Sequence, residues 1–153
     1  MLPLNPAFAD EVARSFALQP IMDLIGASLS LVEPGVVEIT LPYRADLAQQ
    51  DGYIHAGIVT TIADSACGYA AYSLMPAGAQ VLSVEFKVNL LRPAQGVNFV
   101  THAEVIKAGR TLTVAQADVF GIDGNDERTL VATMLATMIC LQNTEQLEGV
   151  SKL

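Results

Sequence analysis

The chain has no tryptophan, only two histidines and two cysteines, and eight lysines and arginines among 153 residues. Each scarcity removes a class of function. Two histidines cannot supply a multi-histidine zinc or iron centre. Cys67 and Cys140 lie far apart, with neither a C-x-x-C pair nor a histidine at ligand spacing, so they do not suggest a metal site. Sixteen acidic residues against the eight basic ones leave a net charge of −8, unsuited to neutralising nucleic-acid phosphates. No apolar run reaches the roughly eighteen residues of a membrane span, because Asp64, Lys87 and similar charges interrupt every candidate. The opening Met1-Leu2-Pro3-Leu4-Asn5-Pro6 has neither the basic start nor the apolar stretch of a secretory signal, and a cytoplasmic protein is expected.

What the chain has in abundance is apolar surface. Hydrophobic residues make up 52% of it and the mean hydropathy is +0.41, high enough to suggest that some surface is buried by self-association. The length suits one domain, 1–153, with a substantial core, and both cysteines fall in apolar segments as small core residues. The sparse positive charge is unevenly placed. Lys87, Arg92, Lys107 and Arg110 are half of the basic total, and from Phe86 to Ala117 only Glu104 opposes them. Such a patch suits an anionic small ligand such as a nucleotide phosphate; ordinary strand surfaces account for the same residues equally well.

The pattern along the chain predicts an α+β fold. Asn5-Pro6 reads as a helix start, and Phe8, Val12 and Phe16 recur along one face of a helix over about 5–19, with another turn at Ile21 to Ile25. Ser28 to Val32 and Val36 to Tyr43 read as strands joined by Glu33-Pro34-Gly35. From Ala56 to about Met75 runs an apolar helix closed by Pro76, its only charge Asp64. Apolar residues on nearly every face predict that other structure wraps this helix, and its many alanines, with Ser65 and Gly68, would let a sheet come close. Four strand-like segments follow, Val81–Leu91, Val97–Lys107, Thr111–Ile122 and Thr129–Leu141, set apart by turn residues that suggest an antiparallel meander. Residues 143–153 read as a polar tail. One curved antiparallel sheet wrapped around one long central helix satisfies this order, and strands of this length leave an edge free to pair with another copy.

Asp64 is the anomaly. A carboxylate in an apolar helix is normally paired or used; a helix-surface aspartate, or one salt-bridged to the sheet, is the alternative. The residues around it carry a resemblance: Gly52-Tyr53-Ile54-His55-Ala56-Gly57, Ala63-Asp64, Ser83-Val84-Glu85-Phe86 and Asn89-Leu90-Leu91-Arg92-Pro93-Ala94. Over about residues 20–142 the chain resembles the hot-dog-fold acyl-coenzyme A thioesterases of the PaaI-like (phenylacetate-degradation) group. The resemblance implies a hot-dog fold and hydrolysis of acyl-CoA to free acid and CoA, with no cofactor and no metal. It implies Asp64 as nucleophile or general base, and Gln49 as the residue that positions the thioester or the attacking water. Ser83 is then a water-orienting hydroxyl, and the backbone N–H of Ala56, where the family carries glycine, is the oxyanion donor. Some related members carry a hydroxyl four residues after the acid, where this chain has Gly68. His55, at the helix start, is read as orienting the loop or Gln49. Gly57, Lys87, Arg92 and Arg110 are the candidate substrate contacts, and His102 is read as structural or exposed.

Without a second nearby histidine or a G-x-S-x-G segment, a Ser-His-Asp hydrolase fits poorly, and no His-Phe-Pro turn suggests a dehydratase. A non-catalytic acyl-CoA-binding or regulatory domain is the competing reading. Tyr53, Tyr69, Tyr72 and Leu74 border an aryl or aliphatic acyl pocket, or pack the core. Helix geometry adds a constraint, since Ala56 and Asp64 are eight residues apart, a rise of about 12 Å, too far for both to act on one carbonyl carbon. A homodimer with antiparallel central helices and two shared sites resolves this. The family often pairs such dimers into homotetramers, which this sequence does not decide.

Overall fold

The computed structural model describes residues 1–142, and the polar tail expected at 143–153 lies outside the described residues. Two short helices, α1 (Phe8–Ala17) and α2 (Pro20–Ile25), precede a hairpin of β1 (Ser28–Glu33) and β2 (Val36–Pro42). The central helix α3 (Ala56–Tyr72) follows, then β3 (Gln80–Leu90), β4 (Asn98–Ala108), β5 (Leu112–Ile122) and β6 (Arg128–Leu141). α1 begins at Phe8 rather than at Pro6. Asn5 accepts the Ala7 N–H through its side chain at 3.0 Å and the Phe8 N–H through its carbonyl at 3.2 Å, which makes residues 5–7 a turn ahead of the helix.

All strand pairs are antiparallel, in one six-stranded sheet of order β1-β2-β4-β5-β6-β3. Only β4, β5 and β6 form the expected meander. β3 pairs with β6, so the segment 91–97 is a crossover past two strands rather than a hairpin turn. Two glycines let it pass. A Cβ on Gly121 would lie 2.2 Å from the Gln95 carbonyl oxygen, and one on Gly96 would lie 2.7 Å from that of Ile122. At this contact Val97 N–H bonds the Ile122 carbonyl at 2.8 Å, closing the end of the sheet.

The sheet curls around α3, which touches β2 through β6. The contact is small against small: Ala63, Ala66 and Ala70 of the helix, and Ala103, Ala115, Ala117 and Ala136 of the sheet, are all fully buried. Larger residues, Phe99, Ile39, Leu41, Ile62, Met134 and Met138, are buried beside this seam. The wrapping is incomplete, contrary to expectation. Thr60, Thr61, Asp64, Ser65, Gly68 and Tyr72 form a stripe along α3 that the chain's own sheet only partly covers. β3, at the sheet edge, is likewise open, with Leu82, Val84, Phe86 and Leu90 between 41% and 54% exposed. Among the described residues no helix is long and apolar enough to cross a membrane.

Ser73, fully buried at the end of α3, ties the helix to the hairpin. Its hydroxyl donates to the Ala70 carbonyl at 2.7 Å and accepts the Gly35 N–H at 2.8 Å. Ser73→Ala strands that N–H, at an expected cost of about 1–3 kcal/mol in denaturant unfolding. Ser28→Ala, which removes only the exposed bond to Thr40, should stay within about 0.5 kcal/mol of the parent.

Candidate active site

Asp64 is half-buried on the open stripe of α3, in the wall of a cleft rather than in the core. Its partner is a hydroxyl and not a cation: Ser83 Oγ donates to Asp64 Oδ1 at 2.6 Å. Ser83 begins the irregularity of β3, where the register against β6 shifts between Ser83 and Glu85. Such bulges re-aim side chains. One carboxylate oxygen is thus held, while Oδ2 has no protein donor among the described residues.

The Asp64–Ser83 pair opens into a cleft of about 450 Å³ between α1, α3 and the start of β3. Gly68, Tyr69 and Tyr72 form its α3 side and Ser15 and Gln19 lie opposite. The Tyr69 ring packs on Phe16 at 5.7 Å and on Tyr72 at 6.5 Å. Burial pushes both tyrosine hydroxyls above their ordinary range, so they remain protonated. Gln19 Oε1 is buried with no hydrogen-bond partner among the described residues. The sequence reading missed the contribution of α1. Its apolar positions were legible, but the residues between them, which face the cleft, carry no pattern of their own.

A second set of candidates lies at the start of α3. The loop before it is anchored by bonds from Gln49 N–H to the Tyr53 carbonyl (2.8 Å), from Ile54 N–H to that of Ala94 (3.0 Å) and from His55 N–H to that of Leu47 (3.0 Å). His55 caps the helix, its Nδ1 accepting the Gly57 N–H at 2.9 Å. In the neutral ring the proton then sits on Nε2. A Cβ on Gly57 would come within 3.1 Å of that Nδ1, so glycine gives the cap its room. The Gly57 N–H is therefore already engaged, and it is the Ala56 N–H that has no acceptor among the described residues. It points out of the positive end of a helix dipole. The Gln49 side chain bonds the Asp51 N–H rather than His55, so His55 orients the turn and not Gln49. Gln49, Tyr53, Ala56 and Arg92 line a cleft of about 470 Å³, distinct from the one at Asp64.

The basic residues do not converge. Arg92 lines the Gln49–Ala56 cleft, its Nη1 donating to the Leu130 carbonyl at 3.1 Å. Lys87 stands opposite Leu135 on exposed β3, Arg110 lies in the turn between β4 and β5, and neither borders the two clefts. His102 Nδ1 pairs with Glu38 Oε1 at 3.0 Å, a contact between neighbouring strands.

The profile of the thioesterase superfamily matches residues 51–127, half of the chain and a segment that includes Asp64, Ser83, His55 and Ala56, with Gln49 just before it. The chain belongs to the thioesterase superfamily. Similar proteins include a solved thioesterase family protein of Silicibacter pomeroyi, 51% identical, covering 89% of this chain and 99% of that one with a TM-score of 0.87. A candidate esterase of Halobacterium salinarum is 31% identical over 104 residues, 65% of this chain and 68% of the relative. The PaaI protein of E. coli, from the phenylacetic acid degradation operon, shares the fold with a TM-score of 0.77 at 17% identity, covering 89% of this chain and 94% of that one. The curved antiparallel sheet around a central helix is thus the hot-dog fold, and hydrolysis of thioesters is the general chemistry of this hot-dog thioesterase.

Cys67 sits behind Asp64 on the buried side of α3. Burial, with a smaller push from the Asp64 carboxylate, raises its thiol to about 12. With Cys140 also buried, native protein at pH 8 should consume no aromatic disulfide reagent, and denatured protein two equivalents. Fast labelling of native Cys67 would mean that the inner face of α3 opens to solvent.

Proposed function

We propose that the protein hydrolyses acyl-CoA thioesters at two equivalent sites, each shared between the two subunits of a homodimer. The observation that carries this reading is the division of the machinery between two clefts of one chain. Asp64 and Ser83 line one, Gln49 and Ala56 the other, the carboxylate standing eight positions along the same helix from the Ala56 N–H. A second copy with its α3 antiparallel brings the Ala56 N–H of one subunit opposite Asp64 of the other. The same pairing covers the open stripe of α3 and the apolar β3 edge, whose unpaired backbone groups are a template for strand addition.

In such a site the thioester carbonyl oxygen lies on the Ala56 N–H, which with the helix dipole favours the charge that develops there. The Gln49 amide steadies the thioester or the incoming water. Asp64, held through Oδ1 by Ser83, uses its free Oδ2 as base toward the water or as the attacking nucleophile. As base, Asp64 takes the water's proton as hydroxide adds to the carbonyl carbon, collapse breaks the carbon–sulfur bond, and the departing CoA thiolate takes that proton up; with Asp64 as nucleophile, the same bond breaks to leave an acyl-aspartyl anhydride that water then hydrolyses to the free acid. Arg92 is placed to meet the negative charge of CoA at the Gln49–Ala56 cleft; Lys87 and Arg110 fall outside this assignment.

Purified protein should release free thiol from at least one short, medium or aryl acyl-CoA without added metal. Asp64→Asn, nearly isosteric, should keep the fold and lose at least about a hundredfold in turnover. Tight acyl-CoA binding with no thiol release across a broad panel would favour the non-catalytic binding reading. Normal turnover by Asp64→Asn would make the aspartate structural.

Sharing is tested by mixing two inactive parents, Asp64→Asn and the double variant Gln49→Ala with His55→Ala. In a mixed dimer one site combines intact Asp64 with an intact Gln49 loop, while the other carries both lesions. Co-expression should recover activity approaching about a quarter of wild type when half of the dimers are mixed. No recovery, with mixed dimers verified by mass, would place the whole site in one chain.

A further inference from the structure

One hydrogen bond ties down the tip of the loop that carries Gln49. Residues 49–53 form a turn closed upon itself: the Gln49 N–H bonds the Tyr53 carbonyl at 2.8 Å, the Gly52 N–H bonds the Gln49 carbonyl at 3.0 Å, and the Gln49 side chain accepts the Asp51 N–H. Gly52, at φ +85°, supplies the left-handed residue that this closure needs. At its base the turn joins the rest of the loop through the bridge between Ala48 and Ile54. At its tip the Tyr43 hydroxyl donates to the Gly52 carbonyl at 3.1 Å, and among the described residues no other hydrogen bond reaches residues 49–53 from outside them. Tyr43 itself is firmly placed. It follows β2 directly, its N–H bonds the Val97 carbonyl at 3.0 Å, and the next residue, Arg44, bonds the Leu24 carbonyl at 2.8 Å and the Asp46 carboxylate at 2.6 Å. Tyr43 is 38% exposed and is no part of the core, so packing does not account for it.

We propose that Tyr43 is a positioning residue, its hydroxyl fixing where the Gln49 amide stands relative to the Ala56 N–H. This deepens the proposed hydrolytic reading and rests on it. The turn is rigid within itself, so what remains free is its tilt. Held only at the Ala48–Ile54 bridge it rocks; held also at Gly52 it does not. With Gln49 Oε1 taken by the Asp51 N–H, the NH2 of the amide is the end left to meet the thioester or the water, and a rocking turn carries that end away from the Ala56 N–H. A displacement of about 1 Å at such a group can cost up to about a hundredfold in rate. Tyr43 touches no reacting atom and acts through Gln49. Donor and acceptor of the tether belong to one chain, so each subunit of the dimer carries its own.

The test is a double-mutant cycle of Tyr43→Phe and Gln49→Ala on an acyl-CoA that the wild type hydrolyses, read with enzyme in excess so that slow variants still give a rate. Melting temperature, oligomeric state and amide hydrogen exchange are measured on each protein. Phenylalanine keeps the ring and removes only the donor. Tyr43→Phe is expected to lower the rate about five- to twentyfold, less than Gln49→Ala does, and to melt within about 3 °C of wild type. Its Gln49 and Gly52 amides should exchange at least about fivefold faster, with those of α3 unchanged. In the Gln49→Ala background the same change should cost less than about twofold, because the residue through which it acts is gone. An equal cost in both backgrounds overturns the proposal, since Tyr43 would then act on stability or on the substrate directly. A wild-type rate in Tyr43→Phe, unchanged exchange at residues 49–53, or a lowered melting temperature or altered oligomeric state overturns it as well. Each of these outcomes, with an active wild type, leaves the hydrolytic reading standing. A wild type inert toward all acyl-CoA thioesters overturns that reading and the role of Tyr43 with it.

Discussion

The close approach of α3 to its sheet governs the rest of the molecule. Alanine faces alanine across the seam, so the sheet curls tightly around the helix, and the larger side chains of β2, β4 and β6 pack beside the contact rather than within it. A helix held this closely on one side is fixed in rotation. Asp64, Ser65 and Gly68 are thereby directed to the opposite, open side. A bulky residue at Ala63, Ala66 or Ala70 would force the seam apart and turn the carboxylate away from Ser83.

The two ends of α3 are secured by different chemistry. His55 and the bonds from the preceding loop define the start, so that the Ala56 N–H at the positive end of the helix remains without an acceptor among the described residues. Ser73 joins the other end to the β1–β2 hairpin. With both ends fixed and one face pressed on the sheet, the distance from the Ala56 N–H to Asp64 cannot adjust. That rigidity is the physical ground for the shared site proposed above.

Much of the architecture was legible because it follows from local chemistry. The β1–β2 turn and the β-branched runs gave strands within a residue of those observed, Pro76 put the end of α3 near Met75 where the helix stops at Tyr72, and the apolar spacing of Phe8, Val12 and Phe16 marked α1. The route of β3 was not legible, since Pro93-Ala94-Gln95-Gly96 reads as a hairpin turn and serves as a crossover. What distinguishes the two is the contact of Gly96 and Gly121 with backbone far away in the sequence. The openness of one face of α3 was also hidden. A periodicity of apolar residues shows that a face is to be covered, but not whether the same chain covers it.

By itself the sequence determined the long small-residue helix, the family, the scarcity of metal-binding groups and the eight-residue spacing between Asp64 and Ala56, for these are properties of residue type and order along the chain. The tertiary structure decided that Asp64 pairs with Ser83 and not with a cation, that His55 bonds Gly57 while Gln49 bonds Asp51, and that Arg92 alone of the basic candidates borders a cleft. The physical reason lies in the range of the interactions. Helix propensity and turn chemistry act over a few residues, whereas a hydrogen bond between a helix and a strand nineteen residues on, or a glycine pressed on distant backbone, exists only once the sheet has closed around the helix.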